Sequence, residues 1–342
     1  MKKSVAIFLT IFLAFSIVPI NASAFSENLY GGIEVSLYQN SELDLSQYTP
    51  EDICQMTNEE YLALVREFER VYDPYDSYVP VENNELNYSN ELVGDGYVSP
   101  TWTSGEFKNG EWVEAGSHEL ITAYACTILS NDKGFYAKDA TAVVVIMLSI
   151  SLASMMPDKD EDGAFPFKFV GHFYDPETEK NYLRQKNNTA KTNAIAHYNA
   201  AISAANSGDM TTAYEKIGRC LHYIQDANVP HHAANIHAFH IPYGASHLEF
   251  EGVAFSRIDR HLASFTSIAS SHYSRALSMG VSNILREGAV SAKNSIDSVK
   301  DVQNIDNQEW DRVIKNSLHR SAMYSAMVLY KFGKVNSVAF FE

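Results

Sequence analysis

The chain has 342 residues, 46% of them hydrophobic, which is enough for one large core or two modest ones. Its net charge of -16 argues against a nucleic-acid binder that works through phosphate contacts, and three cysteines are too few for a disulfide framework. Of these, Cys126 and Cys220 fall inside helical patterns and read as buried free thiols, while Cys54 lies in the acidic N-terminal part.

Lys2 and Lys3 precede an apolar run over residues 5–20, and Ala22-Ser23-Ala24 supplies a small-residue cleavage pattern before Phe25. Residues 1–24 therefore read as a secretory signal peptide and the mature protein as exported, extracellular and without a transmembrane segment. Residues 25–101 hold 16 Asp and Glu against only Arg66 and Arg70 and are rich in Asn, Tyr, Ser and Pro. Their one helix signal is the capping box Thr57-Asn58-Glu59-Glu60, opening a helix over about residues 57–72. The acidity ends near residue 100. This segment reads either as a small, loosely packed accessory domain or as a propeptide that is removed or that shields a site.

From residue 102 the pattern is helical: 117–129 behind a Ser117 cap, 141–156, 193–205, 210–228, 246–253, 254–279, 281–298 and 307–330. Ser207-Gly208-Asp209 joins the third and fourth of these. No alternating run competes as a strand, so the expected class is all-α. Residues 140–156 are apolar nearly all round but interrupted by Thr141, Ser149, Ser151 and Ser154, which fits a central buried helix better than a membrane span.

The chemistry concentrates in Leu221-His222-Tyr223-Ile224-Gln225-Asp226 and in the residues just after it. His222 and Asp226 are four apart, so a helix projects both from one face. Pro230 ends or redirects that helix, which frees His232 to point back toward the same cavity. A second pair with the same spacing stands at His247 and Glu251. One such pair is usually a surface hydrogen bond; two within thirty residues, among small and apolar neighbours, point to divalent cations. Imidazole plus carboxylate without cysteine is the ligand set of catalytic zinc with an open position. Gly116-Ser117-His118, Pro157-Asp158 and Gly171-His172-Phe173-Tyr174-Asp175-Pro176 add further candidates. Asp158, Asp160 and Asp162 have the spacing of a calcium loop, but Phe169 stands where its bidentate Glu belongs.

These stretches, in this order, resemble the bacterial zinc-dependent phospholipases C related to the catalytic domain of clostridial alpha-toxin. The resemblance runs from Trp102 to about Tyr273. It implies a single all-α catalytic domain of the phospholipase C and P1 nuclease type over residues 102–342, with residues 25–101 as the propeptide. It also implies three zinc ions: one held by Asp158, His172, His222 and Asp226, one by His232, His247 and Glu251, and one by His118, a bridging Asp226 and the free N-terminus of Trp102. The implied activity is hydrolysis of phosphatidylcholine-like lipids at a membrane or micelle surface, by a zinc-activated water, to diacylglycerol and a phosphorylated head group. Asp158 matches the family's general base. Phe169 matches an aromatic of its choline pocket, whereas Lys159 stands where choline-preferring members can have tyrosine. The implied partners are the lipid and a processing protease, with no nucleic acid, and the expected state is a monomer. No β-sandwich membrane-binding domain is expected after the helices.

His231 is expected to point away from the ions, His237 and His240 to border the cleft, and His197, His261, His272 and His319 to be surface or satisfied core residues. Two alternatives remain: a zinc nuclease of the S1/P1 type acting on single-stranded nucleic acid, and a catalytically silent zinc-binding surface protein. The matched motifs favour the phospholipase over the first, and retention of every matched ligand favours it over the second.

Overall fold

The structure is a computed structural model describing residues 106–108, 111–114, 116–134, 140–160, 169–237, 243–302, 305 and 307–335. The expected signal peptide and propeptide, together with Trp102, lie outside the described residues. The described part is a helical bundle, as the sequence leads one to expect. It opens on a departure from that expectation, an antiparallel hairpin of β1 (Glu106–Lys108) and β2 (Glu111–Glu114), with Lys108 paired to Glu111 and Phe107 to Trp112. The local signal is Asn109-Gly110, the dipeptide most favoured between hairpin strands. Strands of three and four residues are too short to show an alternating pattern.

The helices are α1 (Ser117–Lys133), α2 (Ala140–Ala153), the single turn α3 (Pro157–Asp160), α4 (Ala190–Ser207), α5 (Met210–Asp226) and the short α6 (Pro230–Ala233). There follow α7 (Gly244–Ser256), α8 (Ile258–Leu262), α9 (Ser270–Ser278), α10 (Val281–Lys293) and α11 (Gln308–Val335). At 28 residues, α11 is about 42 Å long. Helix α5 is central, with α4, α2, α11 and α1 packed on it. Its residues from Ile217 to Asp226 are all buried, so its second half is inside the protein on every side.

The ends of α4 and α5 follow from local chemistry. Thr189 and Thr192 form a reciprocal capping box at the start of α4, and Gly208 ends it in the left-handed region at φ 83. Asp209 then accepts the Thr212 amide at 3.0 Å and caps α5. At α1 the cap differs from expectation: Gly116 occupies the position without a side-chain bond, and Ser117 is the first helical residue. The expected helix over 254–279 is interrupted. At its break the end of α1 supplies competing partners: Asp132 accepts from the Ile268 amide at 2.9 Å and the Tyr273 hydroxyl at 2.7 Å, and Asn131 donates to the Thr266 carbonyl at 3.0 Å. These tertiary bonds hold the segment between α8 and α9 out of helix. Cys126 and Cys220 are free and buried, as expected.

Gly218 sets the approach of α5 to α2. A Cβ there would lie 2.4 Å from the Ile150 carbonyl oxygen and 2.6 Å from Ala153 Cβ. Gly218→Ala is expected to force the two helices apart and destabilise the protein by about 1–3 kcal/mol, the usual cost of overpacking a core. Chemical denaturation of the purified protein measures it.

Candidate metal centre

Each candidate ligand is placed by a different piece of backbone. His118 lies in the first turn of α1, Asp158 in α3, and His172 at the end of a 3-10 turn over Val170–His172. His222 and Asp226 are on the last turns of α5, His232 is on α6, and His247 and Glu251 are on α7. Pro230 at the first position of α6 turns the chain, and His232 comes back toward the end of α5, 3.5 Å from Asp226. The turn carrying His172 is clasped to α6. The Tyr174 amide donates to the His232 carbonyl at 3.2 Å, and His232 Nδ1 donates to the His172 carbonyl at 3.1 Å.

Asp226 is the centre of the arrangement. Its carboxylate is buried, yet Oδ2 lies 2.9 Å from His172 Nδ1 and 3.1 Å from His222 Nε2, and Oδ1 lies 3.5 Å from both His118 Nε2 and His232 Nδ1. Asp158 faces the same rings from the other side, 3.5 Å from His222, 3.6 Å from His172 and 3.9 Å from His118. Glu251 Oε1 lies 2.9 Å from His247 Nε2 and 3.1 Å from His232 Nε2. Three groups therefore have their ligand atoms within 4.8 Å of one another: His118, Asp158 and His222; His172, His222 and Asp226; His232, His247 and Glu251.

The surrounding acceptors fix the histidine rings. A backbone carbonyl can only accept, so His222 Nδ1, 2.8 Å from the Ser154 carbonyl, carries a hydrogen, and so does His232 Nδ1 against the His172 carbonyl. His118 Nδ1 lies 2.7 Å from Gln225 Oε1. In neutral rings of this kind the Nε2 lone pair points at a carboxylate, and two lone pairs 3.1 Å apart repel unless a cation lies between them. His247 Nδ1 and His172 Nε2 are buried and make no hydrogen bond among the described residues. Such a donor set fits divalent cations of the zinc class.

Protons alone satisfy this cluster only in part. Burial opposes charge on His222, but Asp226 and Asp158 outweigh it and hold the ring up at about 9. For His118 burial dominates, reinforced by the neighbouring His222, and pushes it down to about 4 despite both carboxylates. The two rings are 3.8 Å apart, so one charged ring excludes the other. Burial opposes ionisation of Asp226 and Glu251 too, but the histidines around each hold both well below the usual carboxylate range.

Of the remaining candidates, Phe169 stands edge-on to His172 with centroids 5.5 Å apart, in the left-handed region at φ 64. Lys159 is in α3, and its side chain, like Trp102, is outside the described residues. His231 joins none of the three groups; it bonds Ser246 Oγ at 3.0 Å and stacks on His247 at 5.3 Å. His237 packs on Tyr182 at 4.6 Å, while His240 is outside the described residues. His261 pairs with Asp311 at 3.1 Å, and His319 donates to the His261 carbonyl at 2.9 Å. His197 stacks on Tyr223. The acceptors Ser154, His172 and Gln225 had no expectation attached. Two of them act through main-chain oxygen, which leaves no mark in a sequence.

The fold and site thus define a class: an α-helical bundle whose core-facing ends carry adjoining histidine and carboxylate groups fit for divalent cations. No family model matches the chain. It is a relative of proteins named Phospholipase C: that of Clostridium novyi is 27% identical over 240 residues, 64% of this chain and 58% of that protein. The Phospholipase C of Bacillus cereus is 30% identical over 148 residues, 43% of this chain and 51% of that protein. Among solved structures, alpha toxin from Clostridium absonum shares the fold with a TM-score of 0.56 at 22% identity, covering 65% of this chain and 64% of that one. The chain spans less than two thirds of the length of the clostridial proteins it matches.

Because Asp226 contacts histidines of every group and Glu251 only the last, their replacements are expected to differ. Asp226→Asn should lower the bound metal by more than one ion per chain and Glu251→Gln by one. Metal analysis after dialysis counts the difference.

Proposed function

We propose that the protein is a secreted zinc-dependent phospholipase C, a phosphoric diester hydrolase that splits phosphatidylcholine-like lipids into diacylglycerol and a phosphorylated head group. The observation that carries this reading is the burial of opposed imidazole and carboxylate lone pairs in three adjoining groups, in a chain whose relatives are named Phospholipase C. In this reading residues 1–24 direct export, residues 25–101 are an acidic propeptide and residues 102–342 form the catalytic domain. The described residues contain no helix long and apolar enough to cross a membrane, which suits lipid met at a membrane or micelle surface.

Asp158, His172, His222 and Asp226 would hold one zinc, His232, His247 and Glu251 a second, and His118, Asp226 and the amino terminus of Trp102 a third. When bound, zinc supplies Lewis-acid polarisation of a phosphoryl oxygen and makes water a stronger acid. The two aspartates differ in what they can do. The Asp226 side chain is 1% exposed and orients histidines, whereas that of Asp158 is 13% exposed and faces the same rings. Asp158 is thus the carboxylate with access to water, and its Oδ is the atom to take a proton from it. Phe169, beside His172, offers a ring face to a quaternary ammonium, and Lys159 biases selection against one.

Chelation is expected to abolish hydrolysis of a phosphocholine ester and added zinc to restore it, with single-stranded DNA left uncut. Cleavage of DNA in preference to the lipid would turn the assignment to the nuclease. Asp158→Asn should lower turnover by roughly 10²–10⁴-fold, the usual contribution of a general base; a variant with full turnover removes Asp158 from the role.

Processing gives a separate test. A peptide nitrogen within a chain has no available lone pair, so the third position is expected to fill only after cleavage between Thr101 and Trp102. An uncleavable precursor should hold less zinc and turn over more slowly than the processed enzyme, whose N-terminus should be Trp102. Equal zinc content and equal turnover in the two forms would reject the zymogen.

A further inference from the structure

Gln225 is fully buried next to Asp226 and belongs to none of the three ligand groups. Its Oε1 lies 2.7 Å from His118 Nδ1, and its Nε2 donates to Thr122 Oγ1 at 2.8 Å and to Ser325 Oγ at 3.3 Å. Those contacts come from α1 and α11, so the amide joins three helices at the edge of the metal centre. A residue needed only for packing would not bring an amide into the core, where a polar group must find partners for every donor and acceptor. The two donor contacts turn the amide so that its oxygen faces His118.

The other two rings with fixed Nδ1 hydrogens, His222 and His232, use the carbonyls of Ser154 and His172. No substitution removes a backbone carbonyl. His118 alone among them depends on a side chain, so its orientation can be changed by mutation without moving any ligand out of the sequence. We propose that Gln225 is the positioning residue of His118, accepting its Nδ1 hydrogen and thereby aiming the Nε2 lone pair between Asp158 and Asp226, so that Gln225 governs one cation position. This rests on the zinc reading above.

Two measurements on the processed secreted protein test it. In metal-free wild type, nitrogen-15 spectra of the histidines should show His118 protonated at Nδ1; a ring protonated at Nε2 alone overturns the inference. Competition with a zinc chelator should then show that Gln225→Leu weakens one ion by about 10–100-fold, the usual effect of losing an outer partner of a ligand, with the others unchanged. Gln225→Glu, whose carboxylate oxygen still accepts the Nδ1 hydrogen, should rescue that ion. Wild-type affinity for every ion in Gln225→Leu, or equal weakening of all ions in both variants, overturns the proposal. Should Gln225→Leu fail to fold, Gln225→Glu decides with the spectrum: loss of one ion in this variant overturns it, and retention supports it. A wild-type protein that binds no zinc overturns the metal reading and this inference with it, whereas normal wild-type binding with unaffected variants overturns this inference alone.

Discussion

The Asp226 carboxylate, buried among four imidazoles at 2.9–3.5 Å, is the interaction on which the structure depends. An isolated buried carboxylate would take up a proton, because desolvation penalises its charge by several kcal/mol. Here the histidines keep it ionised, and His222, its Nδ1 hydrogen held by the Ser154 carbonyl, is fixed with the Nε2 lone pair facing it. His118 and His222 cannot relax by rotating, since each is tied at the nitrogen away from Asp226, to Gln225 and to the Ser154 carbonyl. Cations satisfy both sides together. In their absence the cluster must share a few protons among rings too close to be charged at once, as His118 and His222 show.

Helix packing is arranged to hold this cluster. Helix α5 delivers His222, Gln225 and Asp226 from one buried end. Gly218, one turn earlier, lets that helix come close enough to α2 for the Ser154 carbonyl, just past the end of α2, to reach His222. The same contact therefore fixes the depth of the core and the tautomer of a ligand, so a packing error between α2 and α5 is also an error in the metal centre. Gly171 leaves room on the other side: a Cβ there would lie 2.4 Å from Asn193 Nδ2 and 2.7 Å from Asn188 Oδ1, so those side chains would have to shift from their places between the His172 turn and the start of α4.

What the sequence made legible was what helical spacing encodes. The pairs His222 with Asp226 and His247 with Glu251 share a face because residues four apart must, and both pairs close to hydrogen-bonding distance. Pro230 was legible for the same kind of reason, since it can open a helix but not continue one. The break between α8 and α9 was not, because it depends on Asp132 and Asn131, over a hundred residues away along the chain. The acceptors of His222 and His232 were beyond reach for another reason: any residue could supply a main-chain carbonyl at those positions. The hairpin lay between these cases, marked by Asn109-Gly110 but with strands too short to register as a pattern.

His232 makes the two halves of the centre one system. Its Nδ1 stands 3.5 Å from Asp226 and its Nε2 3.1 Å from Glu251, so a single ring faces the carboxylates of both groups. The ring is also stacked on Phe173 at 4.6 Å with an interplanar angle of 14°, which leaves it little freedom to turn toward one partner at the expense of the other. Phe173 belongs to the segment that carries His172, and the clasp between that segment and α6 closes the loop from the first group to the last. The two carboxylates therefore share one ring whose orientation is held by packing, and the two candidate groups are not independent of each other.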